Sequence, residues 1–191
     1  MERPRLKLDE VERAVHHIRT NEAKVAIFML ERYVEGASTQ WQRIKKDMDD
    51  SNEANLKYRI SNEKDLTSRG QFWDLMHQTL LDIHFYFVCG DKIQKMLNYI
   101  VRKEKGEDLD LFWKEWWPKL EPFNTGRNRF EHFEGQIQGE WRKGYFWIFG
   151  NEFKIKNKEF DLSSEGLQKL TGSFEALIKI FEARPLLKSN S

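Results

Sequence analysis

Three residues near position 130 have the types and the spacing that phosphate chemistry requires: Arg127, Asn128 and His132. They stand in the segment Arg127-Asn128-Arg129-Phe130-Glu131-His132. Arginine is a permanent cation that can grip a phosphate through two parallel donors. Histidine is the side chain best placed to move protons near neutral pH. Together, Arg127 and His132 can hold a phosphodiester and carry out acid–base chemistry on it without a metal.

The segment is predicted to open a helix that runs from Arg127 to about Arg142, introduced by the Asn-Thr-Gly sequence at 124–126. Asn128 and His132 are four residues apart and therefore share one face of that helix. Arg127 falls in the first turn, where unpaired backbone N–H groups and the positive end of the helix dipole favour a phosphate. The spacing thus predicts a phosphate-binding site at a helix start.

Arg127-Asn128-x-x-x-His132 resembles the signature of the HEPN superfamily, the higher eukaryotes and prokaryotes nucleotide-binding domains. That signature is an arginine, a polar residue, a few others and then a histidine, late in an all-α bundle. The resemblance covers only these positions and a compatible helical architecture. It implies metal-independent RNA cleavage, with two subunits bringing their motifs together across a homodimer interface.

The resemblance also implies a role for each motif residue. His132 would act as the acid or base at the ribose 2′-OH or the leaving oxygen. Arg127 would bind the scissile phosphate and stabilise the charge that develops on it, and Asn128 would orient the histidine or the phosphate. Such members often serve in toxin–antitoxin or phage-defence systems, so an antitoxin protein is a further expected partner. Others bind nucleotides or have lost activity, because a fold does not guarantee a chemistry.

Two other interpretations of the segment are open. In one, the chain is a non-catalytic HEPN-like module that binds a nucleotide or a partner protein. In the other, it is a helical scaffold with an incidental motif: Arg127 is a surface residue near Glu131 or Glu134, and His132 is a satisfied histidine at a helix contact. Arg127 and His132 exposed in a shared cleft would favour the ribonuclease, and separate pairing with carboxylates would favour binding or structure.

Composition limits the other possibilities. The net charge of +1 over 191 residues argues against a generally basic nucleic-acid binder. Any RNA contact needs a local patch of positive charge, and cationic residues cluster near the hairpin at Arg142, Lys143, Lys154, Lys156 and Lys158.

Cys89 is the only cysteine, so no disulfide forms within the chain. The most apolar run, 80–89, is too short to span a bilayer and contains Asp82. We expect a soluble cytoplasmic protein with no membrane partner.

Hydrophobic spacing predicts an all-α bundle of about five to six helices in a single domain, 1–191. The first two predicted helices are 9–35, which Gly36 ends, and 38–48. The next two are 71–101, which Ser68 caps and Gly90 kinks or divides, and 109–120, which Pro118 and Pro122 end. The motif helix follows, and a last helix is capped by Ser163 or Ser164. The polar stretch 47–53 is predicted to be a loop, with helix resuming at 54–60. One β-hairpin at about 145–156, in an insertion over 144–161, precedes the last helix, and residues 185–191 are predicted to be a disordered tail.

Metal and cofactor sites find little support in the sequence. Glu12, His16 and His17 lie on one predicted helix, and Asp74, His77 and His84 on another. The di-iron pattern of bundles needs a Glu-x-x-His pair on each of two helices, and the chain contains none. We therefore predict no metal and no cofactor, although a role for His77 or His84 in lining a cleft with His132 stays open.

Aromatic residues are concentrated in two groups, Phe112-Trp113-Trp116-Trp117 and Tyr145-Phe146-Trp147. Stripes at helical or strand spacing are most often core, and we predict core positions for both. The alternatives are stacking on nucleic-acid bases and an oligomer surface.

Overall fold

Five helices and one small sheet make up the part of the chain that this computed structural model describes, residues 8–133, 146–149, 151–155 and 158–186. The helices are α1 Leu8–Val15, α2 Asn21–Ile60, α3 Leu66–Glu104, α4 Glu107–Phe133 and α5 Ser164–Glu182, and the strands are β1 Phe146–Phe149, β2 Glu152–Ile155 and β3 Lys158–Asp161. The all-α prediction, with a small hairpin before the last helix, is confirmed.

The predicted first helix is in fact two helices, separated by a turn at residues 16–20. Thr20 caps α2 by accepting a hydrogen bond from the Ala23 amide. Glu104, at the far end of α3 and only 2% exposed, accepts from the backbone amides of Arg19 and Thr20 and from the Thr20 hydroxyl. The buried carboxylate satisfies the amides that the break would otherwise leave unpaired. Hydrophobic spacing alone carried no sign of this distant partner.

Neither Gly36 nor the polar stretch 47–53 interrupts α2, so both predicted breaks are wrong. A methyl group at Gly36 would lie 3.1 Å from Sγ of Cys89, which shows how closely α2 approaches α3. Within the polar stretch, Met48 and Ser51 are buried. A few apolar or small residues at helical spacing suffice to hold α2 against α3, because tertiary packing outweighs local propensity.

The helix α3 is longer than predicted and continuous through Gly90. Its N-cap is Asp65, whose side chain accepts from the Ser68 amide, and not Ser68 itself. A Cβ at Gly90 would lie 2.6 Å from the Phe123 ring, and a Cβ at Gly126 would lie 2.6 Å from the Phe87 ring. The two glycines therefore let α3 and α4 approach each other with an aromatic ring in each notch.

Two prolines predicted to end the aromatic helix lie inside α4. Each removes one backbone hydrogen bond and strains the preceding turn. Leu120 and Phe123 lie beside the prolines and are almost fully buried, as is Phe130, two turns further along α4 on the same face as Phe123. Burial of these side chains offsets the cost of the prolines, and α4 runs without interruption from the tryptophans into the motif.

The predicted hairpin is present, and a third strand joins it. β1 pairs with β2 and β2 with β3, all antiparallel, in the order β1-β2-β3. Phe153 of β2 stacks on Phe130 of α4 with ring centroids 5.1 Å apart, and the Trp41 indole N–H donates to the Leu162 carbonyl at 2.8 Å. The sheet thus covers the α3–α4 packing beside the motif. Tyr145 and Lys156, at the ends of the predicted hairpin, lie outside the described residues.

The last helix agrees with its prediction. Ser163 caps α5 by accepting from the amides of Glu165 and Gly166, and its buried face includes Leu170, Phe174, Leu177 and Phe181. Residues 187–191 of the predicted tail lie outside the described part. None of the helices described here is long and apolar enough to cross a bilayer.

Candidate functional site

The motif lies deep within α4 and not at a helix start, which corrects the sequence prediction. The helix begins at Glu107, and Arg127 follows about five and a half turns later. Asn124, Thr125 and Gly126 are helical. Free N–H groups and the positive dipole end are confined to the first turn, so they are unavailable to a phosphate at Arg127. Any anion bound there depends on side chains.

Arg127 is held between two carboxylates. Its Nε and one terminal nitrogen lie 2.8 and 2.6 Å from Oε1 of Glu131, one turn along the same helix. The other terminal nitrogen lies 3.7 Å from Oδ2 of Asp91 on α3. The guanidinium side chain is 27% exposed, so it remains accessible from solvent while both of its neighbours neutralise it.

Asp91 is the centre of this arrangement, and sequence reasoning missed it. The residue has no exposed surface. Its Oδ1 accepts from the Asn124 amide at 2.7 Å, and its Oδ2 lies 2.7 Å from Nζ of Lys95. A buried carboxylate is costly unless it is paired and hydrogen-bonded. The signal in the sequence was a lone aspartate in the apolar face between Phe87 and Ile93.

Asn128 is bonded to its neighbours on α4. Its amide nitrogen donates to Oδ1 of Asn124 at 3.0 Å, and its Oδ1 accepts from Arg127 at 3.4 Å. The contacts therefore link Asp91, Asn124, Asn128 and Arg127 in one chain of polar groups, which we call the Asp91 network. Of the predicted site residues, the structure brings Arg127 and Asn128 together here.

His132 lies one turn beyond Asn128 on the same face of α4 but on a different side of the helix from Arg127. It is exposed, and no hydrogen bond or ion pair joins it to Arg127 or Asn128 within the described residues. Five positions along a helix place it about 140° around the axis from Arg127. A single chain therefore presents the arginine and the histidine toward different sides of α4.

Another histidine does contact the motif helix. The ring of His84 on α3 stacks on Phe130, with centroids 5.2 Å apart and an interplanar angle of 11°. Its Nε2 is buried and has no hydrogen-bond partner among the described residues. His84 thus packs behind the motif rather than in a cleft with His132, and His77, one helical heptad earlier, is exposed.

The other predicted groupings contribute little to a site. Within the described ranges, no three His, Cys, Asp or Glu side chains are arranged to hold a metal ion. In the proposed basic patch, Lys154 pairs with Glu159 across the sheet at 2.7 Å and Lys158 is exposed. Arg142, Lys143 and Lys156 lie outside the described residues.

Comparison of the chain with protein-family models, with curated proteins and with solved structures finds no match.

Proposed function

We propose that the chain is a metal-independent endoribonuclease of HEPN type, with its site at Arg127, Asn128 and His132. The observation that supports the proposal most strongly is the Asp91 network. The carboxylate of Asp91 has no exposed surface, accepts a hydrogen bond from Asn124 and lies 3.7 Å from the guanidinium of Arg127. Burial of that anion is costly, and Arg127 is one of the groups that lie near it, together with Lys95 and Asn124.

The network gives Arg127 a defined position while leaving part of it accessible. A scissile phosphate would replace Glu131, whose Oε1 alone now accepts both guanidinium contacts, and would offer the arginine a pair of oxygens for two parallel hydrogen bonds. Asp91 would remain behind the arginine and fix its direction. Arg127 then stabilises the extra negative charge that builds on the phosphoryl oxygens during attack by the ribose 2′-OH.

The position of His132 favours a site completed by a second copy of the chain. His132 and Arg127 point to different sides of α4, so within one chain they do not face one phosphate. An exposed imidazole from one copy, placed beside Arg127 of the other, would supply the acid or base at the 2′-OH or the leaving oxygen. A homodimer is therefore part of the proposal.

The alternative is a non-catalytic module that binds a nucleotide or a protein, and one observation favours it. Glu131 and Asp91 already neutralise Arg127, and a permanently paired arginine binds phosphate weakly. Under this alternative the Asp91 network mainly joins α3 to α4, and His132 is an ordinary surface residue.

The deciding experiment is cleavage of a labelled RNA pool by the purified protein in excess EDTA. Arg127→Ala and His132→Ala are made in parallel, with Arg129→Ala and His16→Ala as controls of the same residue types. The proposal expects activity that survives chelation, is lost in both motif variants and persists in both controls. Absence of cleavage in the wild type, with the fold verified by circular dichroism, would favour the binding module.

A further inference from the structure

An open cleft of about 480 Å³ lies between α3 and the first half of α4. Its lining consists of Asn98, Asp110, Trp113, Lys114 and Trp117. The last four residues stand at positions i, i+3, i+4 and i+7 and therefore share one face of α4. The cleft is about 15 Å along the helix from Arg127, counted from Trp117, so it is separate from the motif.

The two tryptophans form its apolar wall. Their rings lie 5.2 Å apart at an interplanar angle of 49°, and Trp117 is 44% exposed. The core prediction for this aromatic group therefore holds for Phe112, which is buried, and fails for Trp117. Exposure of a large aromatic surface is costly in water, and a half-exposed indole beside a cleft is a common feature of binding sites.

The polar groups of the cleft select among the possible ligands. Asp110 and Lys114 are both exposed, and neither they nor Asn98 form a side-chain hydrogen bond or ion pair within the described residues. The positive charge of Lys114 would repel a quaternary ammonium, the usual ligand of aromatic cages. The negative charge of Asp110 would repel a ligand that is only an anion. A neutral planar ring with hydrogen-bonding groups at its edge is compatible with the side chains of Asn98, Asp110 and Lys114.

We propose that this cleft binds an unpaired adenine base of single-stranded RNA, stacked on the exposed Trp117 ring with Trp113 against its edge. The Asn98 side-chain amide offers a donor and an acceptor to the adenine edge. Asp110 accepts a hydrogen bond from the exocyclic amine, and Lys114 forms an ion pair with a backbone phosphate. An open aromatic platform with one cation is typical of single-strand binding, whereas free nucleotides usually need an enclosed phosphate cradle. The choice of RNA rests on the proposed function, but binding here needs no cleavage.

The test is fluorescence anisotropy with a labelled 2′-O-methyl oligoadenylate, which lacks the 2′-hydroxyl nucleophile and is bound without being cut. Trp117→Ala is compared with wild type and with Trp117→Phe, which keeps an aromatic face. Leu111→Ala is the matched control, because Leu111 is 62% exposed on the same helix and is not part of the cleft lining. Oligouridylate of equal length tests the preference for a base with an exocyclic amine.

The expected result is binding about tenfold weaker for Trp117→Ala, near wild type for Trp117→Phe and unchanged for Leu111→Ala. Equal affinity of Trp117→Ala and wild type would overturn the proposal, even in a protein that cleaves RNA at the motif. So would equal binding of oligouridylate, or displacement of the oligonucleotide by AMP at the affinity of the oligonucleotide itself. Cleavage of natural RNA, assayed separately on the same preparations, decides the motif proposal.

Discussion

The side-chain amide of Asn124 donates a 2.7 Å hydrogen bond to Oδ1 of Asp91, a carboxylate that has no exposed surface. This bond joins α4 to α3 one helical turn before the motif. Asn124 also accepts from Asn128, so the same side chain positions both a buried anion and a motif residue. The motif is therefore connected to the packing of the bundle.

Replacing Asn124 by alanine should destabilise the protein by about 1–3 kcal/mol, because Oδ1 of buried Asp91 then has no donor. The measurement is the free energy of unfolding from urea denaturation. Thr125→Ala is the control, since the Thr125 hydroxyl bonds to Glu121 at the surface, and its effect should stay within about 0.5 kcal/mol. Equal losses in the two variants would show that the Asp91 contact contributes little.

Replacing Glu131 by glutamine should raise the affinity for RNA. Glu131 competes with phosphate for Arg127, and its side chain is 43% exposed, so the competing ion pair is of the weak surface kind. We expect about two- to fivefold tighter binding of a non-cleavable RNA at low salt.

Glu121→Gln is the matched control for that measurement. Glu121 is exposed on the same helix and bonds to Thr125, so its replacement makes the same change in net charge without freeing Arg127. A similar gain in both variants would mean that overall charge, and not release of the arginine, increases the affinity.

Gly126→Ala should destabilise the bundle, because the new methyl group would meet the Phe87 ring at 2.6 Å. We expect a loss of about 1–3 kcal/mol in the free energy of unfolding, as for other overpacked sites. Gly70→Ala is the matched control without a clash, since no atom lies within 4 Å of the position that a Cβ would occupy at Gly70. There we expect stabilisation by about 0.5–1 kcal/mol, because alanine favours the helix. A gain in both variants would contradict the close approach of α3 and α4.

Cys89 should react slowly in the native protein. Burial raises the pKa of its thiol from 9.0 to about 11, and only the thiolate is a good nucleophile. Below both values, a rise of two pKa units reduces the thiolate fraction about 100-fold. Alkylation by iodoacetamide at pH 8 should therefore be at least that much slower in buffer than in urea, and should accelerate as the pH approaches 11. Equal rates in buffer and urea would show that the thiol is exposed.

Local breaker signals in this chain were poor guides to where helices end. Gly36, Gly90, Gly126, Pro118 and Pro122 all lie inside helices of the structure. Three of the five make close contact with a neighbouring helix or ring, which is a tertiary role. A glycine needed for close packing and a glycine needed for a turn have the same appearance in a sequence.

The sequence by itself determined the helical class, the hairpin, the last helix with a cap at Ser163 or Ser164, and the chemistry available at Arg127, Asn128 and His132. These follow from hydrophobic spacing and side-chain type, which are local properties. Only the tertiary structure decided that α2, α3 and α4 run unbroken, that the motif lies far from a helix start, and that buried Asp91 lies behind Arg127. Those outcomes depend on contacts between residues distant in the chain, such as Asp91 with Asn124 and Gly90 with Phe123. Their energies exceed the local preferences of the backbone, and no local pattern records them.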